Sequence, residues 1–301
     1  MRRTGSRAWL LWLLPLGFLL FFFYQPLLAI FRQVFSERFN QGWQFFSWDL
    51  LTRPLGFTLW QAFLSTLLTL LIGLPAAYLF ARFDFPGRKG LRTVSLLPFI
   101  LPTVVVATAF NTLIGPRGWL NILLMNLFNL SSQPINLLNS LSAILLAHVF
   151  YNTSIVIRMV GNALTRLNPH YDEAARVLGA NSWRVFKEVS FPLLMPSILG
   201  AALLVFLFDF TSFGVVLMLG GPQYATMEVE IYNQAMNRLN LPMAGLLSIV
   251  QLAFTLIITL LQNQVNNPRY GKAALSSERN TLVKPKTRLQ KLTIVLLSLL
   301  V

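Results

Sequence analysis

Long charge-free apolar runs alternate with short charged segments along this chain. The first run is residues 8–31, behind Arg2, Arg3 and Arg7. Others follow at 54–81 (between Arg53 and Arg82), 93–116, about 141–161, about 193–218 and about 243–265. A helix needs roughly 20 apolar residues to cross the bilayer core, so the pattern predicts six spanning helices. Run 8–31 exceeds a secretory apolar region and lacks an Ala-x-Ala cleavage pattern, so a membrane-anchoring helix is expected rather than a leader. Pro98 and Pro102 lie inside the third run, where they mark either a bend lining a pathway or a kink made for packing. Between the third and fourth runs, Asn121, Asn126, Asn129, Ser131, Ser132, Pro134, Asn136 and Asn139 read as a polar loop. GGPQ at 220–223 reads as a glycine turn, and EVEIYNQAMNRLN after it as an amphipathic extramembrane segment.

One polar stretch stands apart from these runs. Residues 168–192, NPHYDEAARVLGANSWRVFKEVSFP, are amphipathic and charged between two membrane-length segments. Asn168 before Pro169 predicts an N-cap with proline at the first helical position. Asp172 and Glu173 then fall in the first turn, where the helix dipole favours anions. Asp172 and Arg176, four apart, are placed to pair along that helix. Gly179 ends it through a positive φ. Ser182 is expected to cap a second short helix, Trp183 to Val189, which Pro192 closes. Trp183, Phe186 and Val189 would seat that second helix against the membrane domain. Connections are usually about 4–6 residues, so a segment this long and ordered suggests a docking element.

Composition agrees with a polytopic membrane protein: 55% of residues are hydrophobic and 11% charged. The net charge of +14 raises a nucleic-acid reading, which its distribution removes. With the N-terminus in the cytoplasm, only Arg32, Arg38, Arg53, Arg117 and Arg238 of the 24 Lys and Arg residues fall on the opposite side. That is a strong positive-inside asymmetry, and it places 168–192 in the cytoplasm. The absence of cysteine rules out a disulfide framework and a thiolate metal site. The two histidines are too far apart for a His-rich metal site. The only Gly-Lys pair, Gly271-Lys272, lacks the rest of a phosphate-binding loop, and no catalytic constellation is present.

The spacing Glu173-Ala174-Ala175, Gly179, Val189-x-Phe191-Pro192 resembles the EAA loop of the permease subunits of type I, binding-protein-dependent ABC importers. Val189 and Phe191 stand where the family pattern has Ile and Leu. TLWQAFLSTLLTL (58–70), ILLAHVFYN (144–152) and GGPQYATMEVEIYNQA (220–235) look most like the thiamine and ferric-iron branch. The resemblance implies an all-α, six-helix permease domain with a cytoplasmic coupling helix. The permease core would cover 54–265, after an N-terminal helix and periplasmic loop at 1–53. A basic cytoplasmic linker at 266–291 and a new apolar run at 292–301 look like the start of a fused second half.

It further implies a bacterial inner-membrane protein whose partners are a cytoplasmic ABC ATPase dimer, a substrate-binding protein and a second permease domain, whether fused, identical or paralogous. ATP and Mg²⁺ would bind the ATPase, leaving this chain without a cofactor. The ATPase-coupling residues would be Tyr171, Asp172, Glu173, Ala174, Ala175, Gly179, Ala180 and Pro192, with Glu173 bonding across the interface. The competing class, an ion-gradient-driven secondary transporter, usually carries inverted repeats, and none is evident in 54–265.

Four further residues are candidates for the translocation pathway. Asp209 is a carboxylate in an apolar run, where it costs about 2.5–3.5 kcal/mol to insert and is a functional candidate by default. It either faces the pathway and complements a cationic substrate, or is a structural group bonded to Ser212 or a neighbouring helix. His148 and Asn152, one turn apart, either line the same pathway or make interhelical hydrogen bonds.

Overall fold

The computed structural model describes residues 10–35, 47–265, 282–285 and 287–300. Most of the linker, 266–281, and most of the loop after the first helix lie outside that range. Among the described residues, five helices are long and apolar enough to cross a membrane, or six if one sharply bent pair counts as a span.

The first is a tandem of α1 (Leu10–Leu19), a π-turn at Leu20–Tyr24 and α2 (Gln25–Val34). Then come α3 (Trp48–Arg82), α4 (Arg88–Val94), α5 (Leu97–Ile100), α6 (Thr103–Ile114), α7 (Trp119–Phe128) and α8 (Leu141–Arg166). The expected third span is therefore broken, with a bend of 106° between 88–100 and 103–128. The residue before a proline avoids the helical region, and Leu101, before Pro102, is extended at ψ 140°. The Leu101 carbonyl freed by the break accepts from Tyr151 Oη on α8 at 2.7 Å. The expected polar loop is likewise corrected, because its first part is helix α7. Asn121 is buried there, donating to the Gly115 and Ile135 carbonyls and accepting from Ile135 N, so it pins the segment. Asn129 ends α7 in the left-handed region at φ 51°.

After α9 (Pro169–Val177) and α10 (Ser182–Val185), a π-turn at Phe186–Ser190 leads without a break into α11 (Phe191–Phe210). Pro192 therefore closes nothing. It lacks an N–H for the preceding turn, and the wide π-turn just before it absorbs that loss. The same arrangement sits ahead of Pro26 in the first tandem. The expected fifth span, 193–218, is two helices: α11 and α12 (Gly214–Leu219), parted at Thr211–Phe213. The chain continues through α13 (Met227–Tyr232), α14 (Leu241–Val265) and α15 (Arg288–Leu300).

Contacts divide the chain into two compact units. One holds residues 1–54 and 227–253, the other 55–226 and 254–301. In the smaller unit, Gly245 meets Val34 so closely that a Cβ would lie 2.6 Å from the valine side chain. In the same unit, Glu230 accepts from both Gln234 and Arg238, and Glu228 accepts from Gln251.

The larger unit packs small residues at its helix crossings, where close backbone approach replaces a hydrophobic drive that lipid does not supply. Ala77 of α3, Val156 and Val160 of α8, and Ala201 and Val205 of α11 form one cluster. At the same crossing, a Cβ on Gly73 would come within 2.7 Å of Val156 Cβ. A second cluster joins Val106 and Ala107 of α6 to Ala143 and Ala147 of α8 and to Val215 and Leu219 of α12. Along α3, Thr58, Gln61, Ser65 and Thr69 are buried while Trp60, Phe63, Leu67 and Leu71 are exposed. A polar stripe inward and an apolar stripe outward suit a helix whose solvent is hydrocarbon.

Candidate functional site: the polar elbow and a buried polar cluster

The elbow forms from its sequence signals. Asn168 Oδ1 accepts from His170 N at 3.0 Å, with Pro169 opening α9. Gly179 takes φ 85° just past the helix end, and its N–H donates to the Arg176 carbonyl. Asn181, rather than Ser182, caps the second arm by accepting from Arg184 N.

The expected Asp172–Arg176 pair is replaced by two contacts between the arms. Ser190 Oγ donates to Asp172 Oδ1 at 3.2 Å, and Arg176 Nη2 donates to Ser182 Oγ at 3.4 Å. These bracket a cavity of about 250 Å³ lined by Tyr78, Arg82, Asn168, Asp172, Arg176 and Ser190. Glu173 lies exposed, 3.1 Å from His170 Nδ1. The seating face also differs from expectation: Val185 is buried, whereas Trp183 is 68% exposed and Phe186 also faces out. Registration by the π-turn places Val185 and Leu194 inward instead. Val177 and Leu178, each 87% exposed at the tip, add apolar surface beside Ala174 and Tyr171. Ala175 and Ala180 are half-buried and Pro192 is exposed.

A buried cluster occupies the far end of α11. Asp209 is wholly buried, and its Oδ1 accepts from Asn152 Nδ2 of α8 at 2.7 Å. His148 Nδ1 is 3.4 Å from the same oxygen and 3.1 Å from Ser65 Oγ of α3. His148 Nε2 hydrogen-bonds with Ser212 Oγ at 2.8 Å, in the gap between α11 and α12. Gln61 of α3 donates to the Asp209 main-chain carbonyl at 2.8 Å. The structure thus gathers the four candidates Asp209, Ser212, His148 and Asn152, joined across three helices by Ser65 and Gln61. Those last two were not foreseen, although the spacing of Thr58, Gln61, Ser65 and Thr69 along one helix face points to them. In this conformation the cluster is packed protein interior, and Asp209 meets α8 rather than open space.

A 29-residue helix, Ser182–Phe210, connects the elbow to this cluster. At 1.5 Å per residue it reaches about 43 Å. The elbow's second arm and Asp209 thus stand on one continuous helix.

A family model described as binding-protein-dependent transport system inner membrane component matches residues 69–270, which include the elbow and most of the cluster. The chain belongs to this family. It is a multi-pass membrane component of a transport system. It is 32% identical over 283 residues to the thiamine transport system permease protein of Haemophilus influenzae, covering 94% of this chain and 51% of that protein. The chain thus spans about half the length of that relative. Among solved structures, it is similar to one from a bacterial ABC transporter involved in the import of the acidic polysaccharide alginate. That match has a TM-score of 0.71 at 21% identity, covering 86% of this chain and 95% of the other. Another, from a bacterial alginate ABC transporter in complex with an alginate pentasaccharide-bound periplasmic protein, gives a TM-score of 0.68 at 23% identity, covering 88% and 97%. These two likenesses establish the permease fold.

Proposed function

We propose that this chain is a permease of an ATP-driven, binding-protein-dependent importer, with the elbow as its mechanical input. The single observation that carries this reading is the exposed α9 tip, where Glu173, Ala174, Val177 and Leu178 face outward beside a glycine in the left-handed region. An exposed apolar patch rimmed by polar groups marks a protein interface. Its occupant is a cytoplasmic ATPase dimer, which binds ATP and Mg²⁺ and moves the elbow. We place the N-terminus in the cytoplasm, a reading that the Lys and Arg asymmetry supports. A second permease domain completes the translocation path, and a periplasmic binding protein delivers the cargo. Thiamine, rather than ferric iron, is the cargo we assign, supported by the long alignment with a thiamine permease.

The test is uptake of labelled thiamine into proteoliposomes containing the chain, the ATPase, the second permease domain and the binding protein. Uptake is expected to require internal ATP and to be indifferent to an uncoupler. Uptake without ATP that collapses with uncoupler would instead identify an ion-gradient transporter.

A further inference from the structure

A second feature of the larger unit lies beside the start of α15, apart from the polar cluster. Residues 282–285 run along the end of α3. Val283 N donates to the Arg82 carbonyl and Asp84 N donates to the Val283 carbonyl, at 3.0 and 3.1 Å, as a parallel bridge between Phe83 and Val283. Ile294 of α15 is buried against Ala76, Leu79, Phe80 and Ile157. These ties hold open a groove of about 640 Å³ whose walls include Phe85, Pro86, Leu91, Val94, Ile294 and Lys291.

The groove is apolar inside, with Lys291 among its lining residues and further cations on the segments that form it. Lys89, Lys284, Arg288 and Lys291 are exposed along the segments that form it, and none is within ion-pair distance of a described carboxylate. Arg88, by contrast, spends its guanidinium on the Phe80 carbonyl. The loop's own acid, Asp84, is exposed. A protein segment with ordinary backbone groups would find few hydrogen-bond partners on such walls. An amphiphile with a hydrocarbon tail and an anionic head matches both the walls and the edge.

We propose that this groove binds an anionic phospholipid. An acyl chain lies along Phe85, Leu91, Val94 and Ile294, and the phosphate rests among Lys89, Lys284 and Lys291. Basic pockets of this kind beside spanning helices at the cytoplasmic face recognise anionic headgroups. The inference rests on the end of α3 lying at that membrane surface, and it is independent of what the permease carries.

The test uses the full chain, purified in mild detergent and stripped of lipid, with binding followed by native mass spectrometry and by the thermal midpoint. Phosphatidylglycerol is expected to bind and raise the midpoint, while phosphatidylcholine and inorganic phosphate do not. Each lysine contributes on the order of a five-fold change in affinity, so the triple variant Lys89→Gln, Lys284→Gln, Lys291→Gln should bind phosphatidylglycerol about a hundred-fold more weakly. A second variant, Val94→Trp, fills the groove and leaves the charges untouched, and it is expected to lose the lipid as well. Equal binding of the two lipids, an undiminished affinity in a folded triple variant, or the same response to inorganic phosphate would overturn the proposal.

Discussion

The residues of the buried cluster are the most demanding among those described, because its polar groups have given up water and need protein partners, which Asp209 Oδ2 and Gln61 Oε1 lack. Asn152 donates to Asp209 Oδ1 while Oδ2 has no partner among the described residues, so Asn152→Leu leaves the buried carboxylate with His148 Nδ1, 3.4 Å from Oδ1. The expected cost is about 1–3 kcal/mol, seen as a lower unfolding midpoint in detergent. An unchanged midpoint would show that this hydrogen bond carries no stability. Asp209→Asn keeps the shape of the group, and we expect assembly with the ATPase to survive while thiamine uptake falls. Uptake equal to the parent's at limiting thiamine would remove Asp209 from the transport path.

Glu228 behaves differently because it lies outside the spanning helices. Burial raises its pKa above the ordinary carboxylate range, and the hydrogen bond from Gln251 only partly opposes this. The folded chain therefore holds the proton more tightly than the unfolded chain does. Its contribution is present below the unfolded pKa and is lost as pH rises through the raised value. The midpoint of the parent should drop over that interval more than that of Glu228→Gln, and identical pH profiles would contradict it.

Asp209 and His148 were legible in the sequence as polar outliers in apolar runs. Their partners Ser65 and Gln61 were not, since serine and glutamine are ordinary in a membrane helix until the geometry across three helices is known.

Among the elements, the unbroken spans were readable from hydropathy alone and Pro98 and Pro102 marked the third run as bent, but the break at Thr211–Phe213 was not readable. Pro102 splits its helix because Leu101 turns extended and Tyr151 satisfies the freed carbonyl, whereas Pro192 is absorbed by a π-turn and leaves its helix continuous. At Pro102 the outcome depends on a partner distant in the chain, and at Pro192 on the turn just before it. The elbow's glycine and first cap were legible because they are local, while its bracing was not, because Ser190 lies 18 residues from Asp172. That contact joins the docking arm to the long helix. Ser190→Ala should therefore leave the ATPase bound but reduce the hydrolysis that loaded binding protein stimulates. Stimulation equal to the parent's would make the contact incidental. The crossing at Gly73 is a packing constraint of the ordinary kind. Gly73→Ala is expected to lower stability by about 1–3 kcal/mol, and Val156→Ala should restore part of it by making room. Independent, additive effects of the two substitutions would show that the crossing has slack.

At the scale of the whole molecule, the proposed function puts most of the lysines and arginines and the elbow on the same face of the membrane, where the ATPase would act. Because the chain has no cysteine, a single introduced thiol reports on one place only. The most direct measurement is therefore a short thiol-to-lysine cross-link from Ala174→Cys in membranes containing the ATPase, with Trp60→Cys on the exposed apolar face of α3 as the reference. The account predicts an adduct with the ATPase from Ala174→Cys, altered in yield by ATP, and none from Trp60→Cys. No adduct from Ala174→Cys with both proteins folded and present, or equal adducts from the two positions, would contradict it.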